Sequence, residues 1–330
     1  MNRIALIPGA DVWGEIFTEK HLNRLRQMGE LVVNPNPGNP DKRRVAELIR
    51  DADIVITSWG CPPFDADVLR EAKRLKLVAH AAGTVKGIVT PELIERGIRV
   101  SSANDALGVG VAETALGLTI TAMKRMWELA RSTREGLWEQ GRERVRELFD
   151  VTIGVVGAGK AGRHYIRLLK QFEVDILLYD PIVSAEEAAA LGCRKVELDE
   201  LLRLSEVISI HAPSIPETND MFNERTFALM RDDAILINTA RGSLINEEHL
   251  AAELAKGRFI ACIDVTKQEP PGTDHPFRSL PNVILIPHIA GAVNNGKQRL
   301  GRYSIEDIRR FLAGEALDGE VNLQNLHVIA

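Results

Sequence analysis

Three residues with complementary chemistry stand just beyond apolar runs in the second half of the chain. Arg241 lies in "INTARGSLINEEHL", Glu269 follows Asp264 in "IDVTKQEPPGTDHP", and His288 closes "ILIPHIAG". If those runs are strands of an open α/β sheet, all three fall where such sheets bind ligands, outside the carboxyl ends of the strands. Arginine offers a planar, permanently charged fork that matches a carboxylate. Histidine can give or take a proton near neutral pH. Glu269, if paired with it, would hold the ring in one tautomer and stabilise its protonated form. A carboxylate clamp beside a proton donor is what reduction of a 2-keto acid requires, apart from the hydride.

A hydride source is foreshadowed by "IGVVGAGKAGRH" (Ile153–His164), almost halfway along the chain. Gly157, Gly159 and Gly162 have the spacing with which a strand-to-helix turn cradles a dinucleotide pyrophosphate, and an apolar run precedes them. Asp180, in "LLYDP", lies 18 residues beyond Gly162. An acid at that distance is placed to accept from the ribose hydroxyls and would repel a 2′-phosphate. No arginine follows within "DPIVSA", so NAD is expected rather than NADP.

The elements that must position these residues read as two α/β halves. Before the glycine turn, "RIALI", "ELVV", "DIVIT", "KLVAHA" and "GIRVSS" read as buried strands. They alternate with the helical "EIFTEKHLNRLRQMG", "DKRRVAELIRD", "DADVLREAKRL" and "TPELIERG". After Val151 six more strands are expected: "TIGVVG", "DILLYD", "VISIHA", "AILINTA", "FIACIDV" and "VILIPHI". Both halves are thus expected to be doubly wound parallel sheets. Between them a helix from about Val111 to Ala130 carries Leu116, Ile120, Met123, Trp127 and Ala130 at helical spacing, a stripe suited to core, spine or subunit interface. The last helix, "NGKQRLGRYSIEDIRRFLAGE", has no strand after it and is expected to return to the first half.

Composition narrows the classes. The 330 residues are 45% hydrophobic with a net charge of −5, which gives no reason to expect nucleic acid. In "GRERVREL" and just before it, Glu135, Glu139, Glu143 and Glu147 interleave with arginines, as on a solvated helix face. Cys61, Cys193 and Cys262 are too scattered for a disulfide framework and suit a reducing cytosol. No metal-ligand spacing is present, no signal peptide opens the chain, and no run reaches the 18 or so apolar residues of a membrane span. A cytoplasmic protein without a metal is expected.

From about Gly83 to His288 the chain resembles the D-isomer-specific 2-hydroxyacid dehydrogenases, the family of phosphoglycerate, glycerate and D-lactate dehydrogenases. The resemblance rests on "GVGVAETALGL", "GVVGAGKAG", "YDP", "HAPSIPET", "INTARGSLINEEHL", "DVTKQEP" and "PHIAG", in that order. It implies an NAD-dependent oxidoreductase with Arg241, Glu269 and His288 as its catalytic residues. Cofactor contacts are implied at Lys160 and Ala161 in the glycine turn, Asp180, Pro213, Thr239, Ala240, Arg241, Asp264 and His288 to Gly291. Ala82, Gly83, Thr84 and Val85 should line the keto-acid pocket with Arg241 and His288. It also implies a flavodoxin-like, discontinuous substrate domain (1–102 and 294–330), a Rossmann domain (103–293), and a homodimer built around the helix after "VAET".

Three departures leave the substrate open. In "AAGTVKGIV", Lys86 and Val89 stand where many members carry acids, and Leu107-Gly108 replaces a common Asn-Ser ahead of "VAE". The rival readings are an NADH-sensing corepressor of the same family and a related hydrolase or formate dehydrogenase; the latter carries glutamine where Glu269 stands. The sequence does not separate glyoxylate, hydroxypyruvate, phosphorylated and longer keto acids.

Overall fold

Strands buried on both faces read as continuous Val/Ile/Leu runs, and each such run here becomes a parallel strand. In the computed structural model, which describes residues 1–138 and 140–326, the first half holds β1 (Arg3–Leu6), β2 (Glu30–Val33), β3 (Ile54–Thr57), β4 (Leu77–His80) and β5 (Arg99–Ser102). They pair in the order β2-β1-β3-β4-β5, all parallel, which is the flavodoxin-like winding. The second half holds β6 (Phe149–Val156), β7 (Glu173–Tyr179), β8 (Arg194–Lys195), β9 (Val207–Ile210), β10 (Ile235–Asn238), β11 (Ile260–Ile263) and β12 (Val283–Leu285). Their order, β12-β11-β10-β9-β6-β7-β8, is the Rossmann winding with one added edge strand. All six expected runs are there; β8, two residues long, had no apolar signal.

The chain divides into two compact units, Met1–Leu107 with Ala292 onward, and Gly108–Gly291. In the first, Ile4, Leu6, Ile54 and Leu77 meet Leu300, Ile305 and Ile308 of the final helix, Asn295–Ala313, on one face of the sheet. Ala5, Val55, Val78, Val45 and Leu93 fill the other. Helices begin at side-chain caps that the sequence displays: Asp41 accepts from the Arg44 amide at 2.8 Å, Asp65 from Val68 at 3.1 Å, and Thr90 from Leu93 at 3.3 Å. The first helical run is broken, because Thr18 caps a second helix over Glu19–Met28 after Ala10–Ile16.

The long middle helix departs from expectation. It spans Asn104–Met123, starting seven residues earlier than the stripe suggested, and ends before Arg125, whose φ of 52° no helix accommodates. Arg125 is held there, buried, by ion pairs to Glu128 and to Asp233 at 3.0 Å. Its core face is therefore Ala112, Ala115, Leu118, Ala122 and Met123, while Trp127 and Ala130 lie on the following helix, Met126–Arg134, and are exposed. Asn104–Met123 is long and apolar enough to cross a membrane by length and composition, contrary to the run count above; here its apolar side packs on the second sheet. "GRERVREL" is not a helix face: only Arg142–Arg144 turn, and Arg146 donates to the Asp233 carbonyl at 2.7 Å. Glu139 lies outside the described residues.

Candidate active site

Because every strand of the second sheet is parallel, the loops after β12, β11, β10, β9, β6 and β7 all leave one edge. In that spatial order they carry His288, Asp264, Thr239–Arg241, Pro213, the glycine turn and Asp180. Arg241, Glu269 and His288 line a single cavity of about 510 Å³, together with Asn219, Ser243 and Lys267. The His288 Nδ1–H donates to Glu269 Oε2 at 2.6 Å, and the Thr266 amide donates to Glu269 Oε1 at 3.2 Å. The carboxylate is thus fixed at both oxygens, and Nε2 is the ring nitrogen left for a ligand.

The backbone is shaped to present that ring. His288 adopts a φ of 49°, in the left-handed region that L residues rarely enter. Its amide bonds the Asp264 carbonyl at 3.0 Å, while the buried Asp264 carboxylate accepts from Ile289 at 2.7 Å and Ala290 at 3.1 Å. Burial pushes the Asp264 carboxyl above its ordinary range; those two amides pull against it. Arg241 is held differently. Asn238 donates from Nδ2 to the Arg241 carbonyl at 2.9 Å and accepts the Ala240 amide at 3.0 Å, while the exposed guanidinium, among the described residues, hydrogen-bonds only its neighbour's carbonyl, Ala240, at 2.7 Å. A β-carbon on Gly242 would lie 2.1 Å from the Thr266 carbonyl carbon, so glycine lets the Arg241 loop press on the loop that carries Glu269.

The nucleotide half passes a steric test for a dinucleotide. Gly157 has a φ of 96°, and a β-carbon there would strike the His211–Ala212 backbone at 2.8 Å. A β-carbon on Gly162 would sit 2.1 Å from the Gly157 carbonyl oxygen, so that residue sets the close approach of helix to strand. A β-carbon on Gly159 meets nothing within 4 Å: it would occupy the open space where a pyrophosphate comes nearest the backbone. Gly159 caps the ten-residue helix Lys160–Leu169 without a side-chain acceptor, leaving the positive end of its dipole for an anion. Thr239 Oγ1, buried at the end of β10, has no hydrogen-bond partner among the described residues. These residues fit the cofactor.

Asp180 works harder than expected. Its Oδ1 accepts from Ile182 at 2.8 Å and Val183 at 3.1 Å, and Oδ2 accepts from Ala158 at 2.8 Å, tying the glycine turn to the end of β7. With about two acceptor sites per oxygen, one on Oδ2 is left for a ribose hydroxyl. Arg163, which spacing did not single out, grips the Ala158 carbonyl at 2.8 Å and pairs with Glu187. Lys160 and Ala161 open the helix, Pro213 follows β9 and accepts Thr218 Oγ1 at 2.6 Å, and Gly291 packs its carbonyl 3.3 Å from where a β-carbon on Gly110 would be. Gly108 lies equally close to the turn: its β-carbon would be 3.0 Å from the Ala161 amide.

In the first unit, Ala82, Gly83, Thr84 and Val85 form the loop after β4. All but Thr84 are buried, and Leu107 packs on Gly83. Lys86 is exposed and Val89 packs against the core. Ser58 and Ser102, which donate to the Ala81 and Ala82 carbonyls, escaped the sequence reading because they bond across loops far apart in the chain, and Asn238 and Thr266 because a short-range bond to backbone leaves no distinctive spacing.

Comparison with known proteins agrees with this geometry. Residues 116–290 match the family described as "D-isomer specific 2-hydroxyacid dehydrogenase, NAD binding domain", which makes NAD the cofactor of the second unit. Among curated relatives, a glyoxylate reductase of Korarchaeum cryptofilum is 33% identical over 94% of this chain and 95% of its own length. A D-3-phosphoglycerate dehydrogenase of Methanocaldococcus jannaschii is 32% identical over 93% of this chain, but the match spans only 58% of that longer protein. A phosphoglycerate oxidoreductase from Rhizobium etli shares the fold, with a TM-score of 0.83 at 24% identity over 97% of this chain and 98% of its own. With half the chain inside the family's domain and a third of its residues shared with a full-length relative, the chain belongs to the D-isomer specific 2-hydroxyacid dehydrogenase family.

Proposed function

We propose that the protein interconverts a small 2-keto acid and the corresponding D-2-hydroxy acid. The observation that carries this reading is the His288–Glu269 pair sharing one cavity with Arg241. The cofactor, when bound, supplies or accepts the hydride. Arg241 holds the substrate carboxylate as a fork. His288, through Nε2, delivers a proton to the developing alkoxide in reduction and takes it back in oxidation. Glu269 keeps Nδ1 protonated and offsets the positive charge of the imidazolium. Ala82 to Val85 contribute from the first unit as the family resemblance implies. Among those residues, in the described structure, none of the four backbone amides donates to a protein acceptor, which leaves them for an anion.

The chain acts, in this reading, as a cytoplasmic homodimer without a nucleic-acid or membrane partner. Exposed Met126, Trp127, Leu137 and Trp138 after the helix Asn104–Met123 support a covered surface there. The deciding experiment is a panel of 2-keto acids with NADH, followed at the nicotinamide absorbance band. Turnover of at least one member supports the assignment, and inertness toward all, with NADH bound, refutes it.

A further inference from the structure

Two successive backbone amides, of Thr266 and Lys267, donate to two different glutamates. The first goes to Glu269, which holds His288; the second goes to Glu247 Oε1 at 2.8 Å. Glu247 opens the helix Glu247–Ala255, and it too is backed by a histidine. The Phe277 amide donates to His275 Nδ1 at 3.3 Å, so the ring proton sits on Nε2, which donates to Glu247 Oε2 at 3.3 Å. The side chains of Glu247 and His275 are each 17% exposed, against 38% for Glu269 and 52% for His288. Neither lines the cavity that holds Arg241, Glu269 and His288. Two histidine–glutamate pairs thus grip one loop at neighbouring peptide groups, one pair open to a ligand and the other withdrawn.

The bonds inside residues 266–269 fix the loop's shape but not its place: the Thr266 amide reaches Glu269, and Thr266 Oγ1 donates to the Gln268 carbonyl at 2.7 Å. Among the described residues, the two hydrogen bonds that tie this loop to other elements both start at Lys267. Its amide donates to Glu247, and its Nζ donates to Asp220 at 2.7 Å. A β-carbon on Gly242 would lie 2.4 Å from the Lys267 nitrogen, so the peptide that Glu247 holds is also the one on which the Arg241 loop rests. We propose that Glu247 is a positioning residue for the acid–base pair: by taking the Lys267 amide it sets where Glu269, two residues on, meets the His288 ring. The inference rests on the keto-acid reading above and adds a residue to it. Since Glu247 lies outside the cavity, its loss should reach His288 through Glu269, and small displacements of a reacting group are costly.

The test compares Glu247→Ala, which removes the acceptor, with Glu247→Gln, which keeps one. In Glu247→Ala, kcat for hydroxy-acid oxidation should fall on the order of tenfold, the effect of a lost charge-assisted bond, and Glu247→Gln should recover most of it. In a Glu269→Gln background the same Glu247→Ala change should cost less than about twofold, because the residue through which it acts is already disabled. Equal losses in both backgrounds would make Glu247 a merely structural residue and overturn the proposal. Two-bond ¹H–¹⁵N correlation of the His288 ring in the ¹⁵N-labelled full chain, at a pH where the ring is neutral, gives an answer that does not need turnover. With the signal assigned against His288→Asn, wild type should carry the ring proton on Nδ1. Glu247→Ala should move part of that proton to Nε2, and Glu247→Gln should move less. A shifted tautomer supports the role even if no keto acid is reduced, whereas an unchanged one in Glu247→Ala refutes it whatever the substrate. A wild-type proton on Nε2 would overturn both this role and the acid–base pair. If Glu247→Ala does not fold, His275→Leu, which releases the Glu247 carboxylate, is read in the same way: a shifted tautomer supports the role and a wild-type one refutes it.

Discussion

His288 and Glu269 form a hydrogen bond of 2.6 Å whose far end is itself anchored by the Thr266 amide. The imidazole therefore has one tautomer, with its unshared nitrogen turned from the carboxylate. Replacing His288 by Asn should lower kcat/KM in both directions by about a hundredfold or more, the worth of a positioned proton-transfer group. Glu269→Gln keeps the shape but loses the charge that offsets an imidazolium. Hydroxy-acid oxidation, which forms that cation, should fall by on the order of tenfold or more while NADH affinity is retained. Steady-state rates in both directions with fluorescence titration of NADH check this, and undiminished oxidation in Glu269→Gln would rule the pairing out of the mechanism.

Among the described residues, the Arg241 guanidinium donates a hydrogen bond to the Ala240 carbonyl alone, so its fork is available to a ligand. Arg241→Lys preserves charge but not bidentate geometry, and keto-acid kcat/KM should drop roughly ten- to a hundredfold. The Kd of NADH should hardly move. Full activity in the variant would place the carboxylate clamp elsewhere.

The three turn glycines should separate by phenotype. Gly162→Ala sets a methyl 2.1 Å from the Gly157 carbonyl oxygen and should destabilise the fold by about 1–3 kcal/mol. Gly159→Ala meets open space and should leave Tm nearly unchanged, yet weaken NADH by on the order of tenfold or more where the pyrophosphate must approach. Thermal unfolding with and without NADH distinguishes the two. A Gly159→Ala protein with normal NADH affinity would move the cofactor off this turn.

With its remaining acceptor site, Asp180 should favour NADH over NADPH in kcat/KM, and Asp180→Ser should narrow that preference. A wild-type preference for NADPH would overturn the ribose role and leave Asp180 only as a tie for the turn.

Acid should unfold the protein partly through two histidines. Burial depresses His80 to about 4 and His211 to about 3 from the ordinary 6.5. The unfolded chain therefore takes up protons that the fold refuses. Stability is full above about pH 6.5 and falls as pH drops toward those values, at most by roughly 1.4 kcal/mol per pH unit for each ring. Urea unfolding of His211→Gln between pH 6.5 and 4.5 should show a shallower decline than wild type. Parallel declines would show that another group carries the acid sensitivity.

What could be read from the chain in advance follows from how each feature is encoded. Strands such as Ile260–Ile263 are buried on both faces and announce themselves as apolar runs, and residues just past such runs had to lie at a ligand edge. The break at Arg125 could not be read, because it depends on Asp233, 108 residues away. The same holds for the Arg146 segment, whose partner is the Asp233 carbonyl. Within the site, Arg241, Glu269 and His288 were legible because each offers chemistry at a strand end. Ser102 acts on the backbone of a loop 20 residues away and Asn238 on backbone within its own loop, and spacing carries no trace of either.

The carboxylate of Asp264 has a consequence for genetics. Both its oxygens bind the amides of Ile289 and Ala290, so it braces the peptide turn in which His288 sits. A random screen for inactive alleles should therefore recover Asp264 as often as His288 itself. Such alleles would be silenced through a displaced imidazole, and a suppressor restoring a short acceptor at position 264 could revive them with the dinucleotide contact still absent.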